Sequence, residues 1–368
     1  MSAEAEIQQT VLGNIGDQQE MLQAAFDARD EFIAPFLEAF RAGPVSRVVF
    51  LGSGTSYNVS TLAASLFSRV AGVEGVAPYP TEFTHYGAGL DPAHTDPSSI
   101  LCVGISQSGT SISTCEAIEH AKSSGYRTLA LTGDTTSRIT TIAETVTPLL
   151  VGLELTGPET KGYTASVLTV YLWAFAVAKE TGALDAAEAD SGIAAAGEVA
   201  AQFKTVIREA EEWYDRNRPS LLHSSRLNIL GYGADHATML EGVLKVAEML
   251  RVPTIGNLVE EHVHGPTMAL KFDHATLFIG SDEAEFERMV SIRDAIGEHA
   301  PGAHIITCRD FDGADDRDLV FSVKANTYLA PLLYTVPFQF LAAKGGADVF
   351  IDTNVNPIPI RFGHYKDE

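Results

Sequence analysis

The chain has 368 residues, 45% of them hydrophobic and 20% charged, with a formal net charge of −23. Such a composition belongs to a soluble globular protein, and the length suits two domains that each bury a core. The negative charge argues against nucleic acid and anionic membranes as partners, since both reward Lys and Arg surfaces. A small anionic ligand stays open, because backbone amides at a helix start bind phosphate whatever the net charge.

The N-terminus, MSAEAEIQQTVLGNIGDQQ, is polar and acidic and lacks the apolar core of a signal peptide. No stretch approaches about 18 uninterrupted apolar residues, so a cytoplasmic location is expected. Leu22, Ala25, Phe26, Phe32, Phe36, Leu37 and Phe40 recur at helical spacing up to Pro44, predicting a helical segment over 1–44. RVVFLGSGTS then reads as an apolar strand, a Gly-rich turn and a helix from about Ser56 to Ala71. SSILCVGISQSGTS repeats that grammar, with a helix through about Lys122, and TLALTGD is a third strand. Strands alternating with helices predict right-handed βαβ units and a parallel sheet. A largely apolar helix follows over about Ala165 to Thr181, then an Ala/Glu-rich helical pair to about Arg216.

The second half repeats the first. An offset of 179 sets RVVFLGSGTS on RLNILGYGAD, with Gly52 on Gly231, Gly54 on Gly233, Glu82 on Glu261 and His85 on His264. An offset of 176 sets TLALTGD on HIITCRD and ILCVGIS on TLFIGSD. The expected fold is therefore α/β, with two doubly wound, flavodoxin-like domains carrying parallel sheets as a tandem pseudo-repeat. The divisions are 1–44, 45–200 for the first domain, 201–350 for the second, and a tail over 351–368.

The copies are unequal where strands turn into helices. The first carries GSGTS and SQSGTS; the second carries GYGAD and SDEAEFE. Small hydroxyl residues and Gly at a helix start let N–H and O–H groups converge on a phosphate, whereas Asp282, Glu283 and Glu285 would repel one. A phosphate site is expected in the first copy alone. Either loop by itself is more often an ordinary helix cap, but two on one sheet both open at its carboxyl edge, where such folds bind ligands. No acidic residue closes a second strand to hold a ribose, and the Walker lysine is missing. Cys102, Cys115 and Cys308 lie far apart, without metal-site spacing, and suit a reducing compartment. No metal or cofactor is expected.

GSGTSYNVS followed by SQSGTSIST resembles the sugar-isomerase (SIS) family: the isomerase half of glucosamine-6-phosphate synthase and its stand-alone deaminase and deglycase relatives. The N-terminal EIQQ, GPETKGYTAS, LEGVLKVAEML, the HGP at 264–266 and PLLYTVPFQFLA extend the resemblance nearly end to end. It implies that a sugar phosphate is held by Thr55, Ser56, Ser106, Gln107, Ser108 and Ser111, with Gly54 beside them.

Glu241, Lys245 and Glu248 are spaced to share one helix face. Leu240, Val243, Leu244, Ala247 and Leu250 make the opposite, core face, so spacing alone reads the charged face as solvated. The resemblance places Glu248 on the acid/base that moves a proton between C1 and C2, and Glu241 and Lys245 on its neighbours. It assigns ring opening to His264, donated across a homodimer interface into a composite site. His262, His264 and His274 crowd together without a metal pattern. Lys161 either positions substrate or caps the helix that follows it. The tail, NVNPIPIRFGHYKDE, departs from the family's Schiff-base lysine, and Lys366 and His364 stand as substitutes.

The chain has no Cys after its initiator Met and no room for a glutaminase domain, so an amine-releasing direction is expected. The expected activity is that of a deaminase or deglycase on an amino- or aminated hexose 6-phosphate. A plain aldose–ketose isomerase is the nearest rival, and a non-catalytic sugar-phosphate sensor is the rival from another class.

Overall fold

The computed structural model describes residues 9–87, 96–152, 154–281, 283–358 and 362–365, the side chain of Glu283 excepted. Three helices open the chain: α1 (Val11–Gly16), α2 (Gln18–Asp27) and α3 (Asp30–Arg41). The first half continues as β1 (Arg47–Gly52), α4 (Thr55–Leu66), β2 (Glu74–Val76), α5 (Pro80–Tyr86), β3 (Ile100–Ile105), α6 (Ile112–Ser123), β4 (Arg127–Thr132), α7 (Arg138–Ile142) and β5 (Thr145–Pro148). Helices α8 (Lys161–Thr181), α9 (Ala186–Ala201) and α10 (Phe203–Leu222) lead to the second half. There β6 (Arg226–Gly231), α11 (Asp235–Lys245), β7 (Thr254–Leu258), α12 (Val259–Val263), β8 (His274–Ile279), α13 (Glu283–Gly297), β9 (Gly302–Thr307), β10 (Leu319–Val320) and α14 (Ala330–Asp348) follow.

Each half holds a five-stranded sheet, ordered β2-β1-β3-β4-β5 and β10-β9-β8-β6-β7. The strand pairs are parallel throughout. Both sheets therefore follow the flavodoxin-like order, with the reversal of chain direction between β1 and β3 in one and between β6 and β8 in the other. Strands such as β3 and β8 are buried at every position because helices cover both faces.

The repeat holds at 179 for the first strand of each half, but not at 176 for the later ones. Arg47 pairs with Ile100 as Arg226 pairs with His274, which sets β3 on β8 at 174. Leu101 pairs with Arg127 as Ala275 pairs with Gly302, which sets β4 on β9 at 175. A run of apolar residues carries no internal landmark, so matching by hydrophobicity slid the two strands by one or two places. In the corrected register Ser106 answers to Gly280 and Gln107 to Ser281.

The 179 offset reaches further than the strands. Helix α4 runs on as a π-turn over Phe67–Ala71 and α11 as one over Val246–Leu250, ending on left-handed residues Gly72 (φ 68°) and Arg251 (φ 60°). π-turns inside helices are rare and cluster at functional sites.

Each half buries a cluster of its own, around Val49, Leu51 and Ile118 in the first and Leu230, Phe278 and Phe286 in the second, and a larger core spans both halves. It runs from Val48, Phe50 and Leu101 through α8 and α14 to Leu227, Ile229 and Leu277. Trp173 of α8 stacks on Phe36 at 4.2 Å between ring centroids, and its Nε1–H donates to the Phe32 carbonyl at 2.9 Å. Cys102, Cys115 and Cys308 are buried and unpaired by disulfides. Among the described residues no helix is long and apolar enough to cross a membrane, and none of the His, Cys, Asp and Glu side chains group as a metal site.

Candidate active site

The two hydroxyl-rich loops meet at the carboxyl edge of β1 and β3. After β1, Gly54 takes φ 59°, a left-handed turn that only glycine adopts without strain, and releases the chain into α4. After β3, Gly109 takes φ 65°, and a Cβ there would lie 1.7 Å from Ser137 Oγ. The loops are stitched together: Ser53 Oγ lies 2.8 Å from Ser113 Oγ. Within the second loop the Gly109 N–H donates to Ser106 Oγ at 3.1 Å, and Thr110 Oγ1 donates to Ser108 Oγ at 3.1 Å.

A cavity of about 290 Å³ opens there, lined by Gly54, Thr55, Ser56, Ser106, Gln107, Ser108 and Ser111 from the first half. Every residue expected at the phosphate thus lines one space. Lys245 and Glu248 form another wall of it, so the two halves bring their candidate residues together. A second cavity of about 680 Å³ adjoins it and shares Gln107, Ser108, Gly157, Glu159, Gly363 and His364.

The solvated-face reading of Glu241 and Lys245 is overturned: both side chains are 1% exposed. Glu241 reaches into the first half, where Thr55 Oγ1 donates to Oε1 at 3.2 Å and Asn58 Nδ2 to Oε2 at 2.8 Å. Lys245 Nζ lies 3.5 Å from Glu241 Oε1 and 2.7 Å from Glu248 Oε2. Ala247, expected in the core, is exposed. The spacing was read correctly, but helix α4 covers the charged face. Burial would lower the Lys245 ammonium's pKa, yet Glu241, Glu248 and Glu159 outweigh it and hold that pKa above its ordinary value. Glu248 sits within the π-turn, and its side chain is 36% exposed at the cavity wall.

Glu159 is a residue that sequence reasoning passed over. It lines both cavities, and burial followed by the carboxylates of Glu154, Glu241 and Glu248, against the pull of Lys245, raises its pKa to about 8. Its signal was present in GPETKGYTAS, where an acid stands two residues before a lysine in a turn. Glu154 and Asn58 were missed too. Glu154 accepts N–H bonds from Thr160, Lys161 and Gly162 and one from Gln107 Nε2 at 3.2 Å. It therefore caps α8 and tethers the 106–111 loop.

That cap starts α8 at Lys161, four residues before the expected Ala165. The capping role weighed for Lys161 belongs to Glu154. The Lys161 side chain is buried and lines neither cavity. His264 follows α12, is 67% exposed, lies 3.7 Å from Glu260 Oε1 and lines neither cavity of its own chain. Lys366 lies outside the described residues, as does Asp282. His364 lines both cavities.

The corresponding loops of the second half are closed differently. The buried Asp235 turns its carboxylate onto the loop after β8, where Oδ2 accepts the Ser281 N–H at 2.9 Å and its Oγ–H at 2.7 Å.

Comparison with known proteins bears on this geometry. No family model matches the chain. Over 335 residues it is 27% identical to glutamine–fructose-6-phosphate aminotransferase (isomerizing) of Xylella fastidiosa, covering 87% of this chain and 52% of that protein. The chain spans about half the length of the curated relatives it matches. The C-terminal domain of glucosamine-fructose-6-phosphate aminotransferase from Francisella tularensis superposes with a TM-score of 0.78 at 19% identity, covering 96% of this chain and 100% of that one. Glucosamine-6-phosphate deaminase of Thermotoga maritima gives 0.74 at 19%, covering 94% and 97%. The resemblance to the SIS family holds. These two neighbours share the fold of this chain over nearly its whole length.

Proposed function

We propose that the chain is a phosphosugar enzyme that opens an amino- or aminated hexose 6-phosphate, moves a proton between C1 and C2, and releases the amine as water hydrolyses the C–N bond. The observation that carries this reading is the single cavity walled by both hydroxyl loops of the first half and by Lys245 and Glu248 of the second. A phosphate on Ser106, Gln107, Ser108, Ser111, Thr55 and Ser56 would place the sugar carbons toward Glu248. That carboxylate is open to the cavity and can serve two adjacent carbons in turn. Lys245, held charged by its neighbours, can stabilise the negative oxygen that develops as the proton leaves. Glu241 fixes Lys245 from behind.

His264 is assigned to ring opening from a second copy of the chain, which would make the homodimer the working unit. The curated relative of Xylella fastidiosa is named an aminotransferase (isomerizing) of fructose 6-phosphate and the Thermotoga maritima neighbour a deaminase of glucosamine 6-phosphate. Both names support an amino-sugar phosphate as substrate.

The test is incubation with glucosamine 6-phosphate and a panel of fructosamine 6-phosphates, with assay of free amine and of sugar product. Amine release supports the proposal. Aldose–ketose interconversion without amine identifies a plain isomerase. Glu248→Gln is expected to lower kcat by at least about 100-fold, the scale of general-base loss, while phosphosugar binding by calorimetry persists. Unchanged turnover would remove Glu248 from the role of base.

A further inference from the structure

The C-terminal tail is built into the anion loop. Its residues 363–365 run antiparallel to 110–112: the Ile112 N–H donates to the Gly363 carbonyl at 2.9 Å, and the Tyr365 N–H to the Thr110 carbonyl at 2.9 Å. Arg138 stacks on the Tyr365 ring at 3.9 Å, which further pins the segment. Between those two anchors the His364 ring faces the loop hydroxyls, its Nδ1 lying 3.2 Å from Thr110 Oγ1 and 3.4 Å from Ser108 Oγ.

Charge makes this placement consequential. Among the described residues lining the two adjoining cavities, Asp134, Glu154 and Glu248 are acidic beside the protonated Glu159, and Lys245 and His364 are the groups able to carry positive charge. Lys245 is engaged by Glu241 and Glu248. A phosphate ester arriving on the 106–111 loop would bring nearly two negative charges into an acidic space. Hydroxyls and backbone amides can bond it but cannot neutralise it. An imidazolium at His364 does both, through a charge-assisted bond that is roughly twice as strong as a neutral one.

We propose that His364 is a phosphate ligand delivered by the tail, supplying the positive charge that the hydroxyl loop lacks. The inference rests on the sugar-phosphate reading of the cavity. It also makes the tail part of the binding site: the strand at 363–365 and the phosphate hold each other in place.

Inorganic phosphate is the probe, titrated by calorimetry into the full-length protein, its H364Q variant and its H364K variant. Because His364 is exposed, neither substitution threatens the core. H364Q is expected to weaken phosphate about tenfold and H364K to stay within about threefold of the wild type, as a charge-assisted contact requires. In turnover, H364Q should raise KM more than it lowers kcat. Wild-type phosphate affinity retained in H364Q overturns the inference and leaves the sugar-phosphate reading standing. Equal loss in H364Q and H364K overturns the charge role. Phosphate binding that depends on His364 in a protein that turns over no hexose 6-phosphate supports the inference and sinks only the enzyme reading.

Discussion

Lys245 is a buried cation between two carboxylates, and its energetics differ from those of the ion pairs on the surface. Arg208 and Glu212 are 3.1 Å apart and more than half exposed, so their pairing contributes below about 1 kcal/mol. Removing the Glu241 carboxylate would leave Lys245, Thr55 and Asn58 facing a hole. Glu241→Ala is expected to cost about 3 kcal/mol of stability, the low end for breaking a buried pair because Glu248 remains. A shift in the urea midpoint measures it, and a loss under about 1 kcal/mol would show that water enters and solvates the site. Glu159 has a pH signature instead. Its acid is favoured in the fold, rising from 4.5 to about 8. The stability it contributes is therefore complete below pH 4.5 and lost as pH rises through about 8. The melting temperature of Glu159→Gln should change less between pH 5 and pH 9 (values chosen to span roughly both limits) than that of the wild type. Parallel curves would contradict the buried-acid assignment. The burial of Glu241 and Lys245 was not legible in the chain: they follow the spacing of a solvated face, and what buries them arrives from 183 residues away at Asn58.

At the scale of elements, the strand–loop–helix units were legible because apolar runs, Gly turns and helical spacing agree locally, and hydroxyl-rich loops on adjacent strands pointed to the right sheet edge. Two boundaries were not. Helix α8 begins early because its cap, Glu154, precedes it by seven residues instead of standing at the N-cap position. The slipped register of β8 and β9 follows from aligning featureless apolar strands, and only the ladder of partners fixes it. The loop that binds the candidate phosphate depends on Gly109, whose left-handed φ and tight approach to Ser137 leave no room for a side chain. Gly109→Ala is expected to weaken phosphate binding more than about tenfold through displacement of the loop, with a stability loss of about 1–3 kcal/mol. Calorimetry and thermal melts on the same sample separate the two effects. Full phosphate affinity would mean that the loop tolerates a different path.

Across the whole molecule, the largest core spans both halves while the candidate chemistry is divided between them. The hydroxyl loops of the cavity come from the first half, and Lys245 and Glu248 come from the second. Titration of a hexose 6-phosphate should therefore saturate at one per chain, and two would show that the second half keeps a working site. Duplication was legible from the offset of 179, and so was its inequality, though the acidic segment at 282–285 was blamed for it. The structure adds Asp235, whose carboxylate already holds the amide and hydroxyl of Ser281. A tethered carboxylate acts at an effective concentration of mM or more, whereas a free phosphate must be supplied by the cell. The second half thus carries its anion in its own sequence and remains loaded at every metabolite level, so that on the proposed reading the first half alone responds to how much sugar phosphate is present.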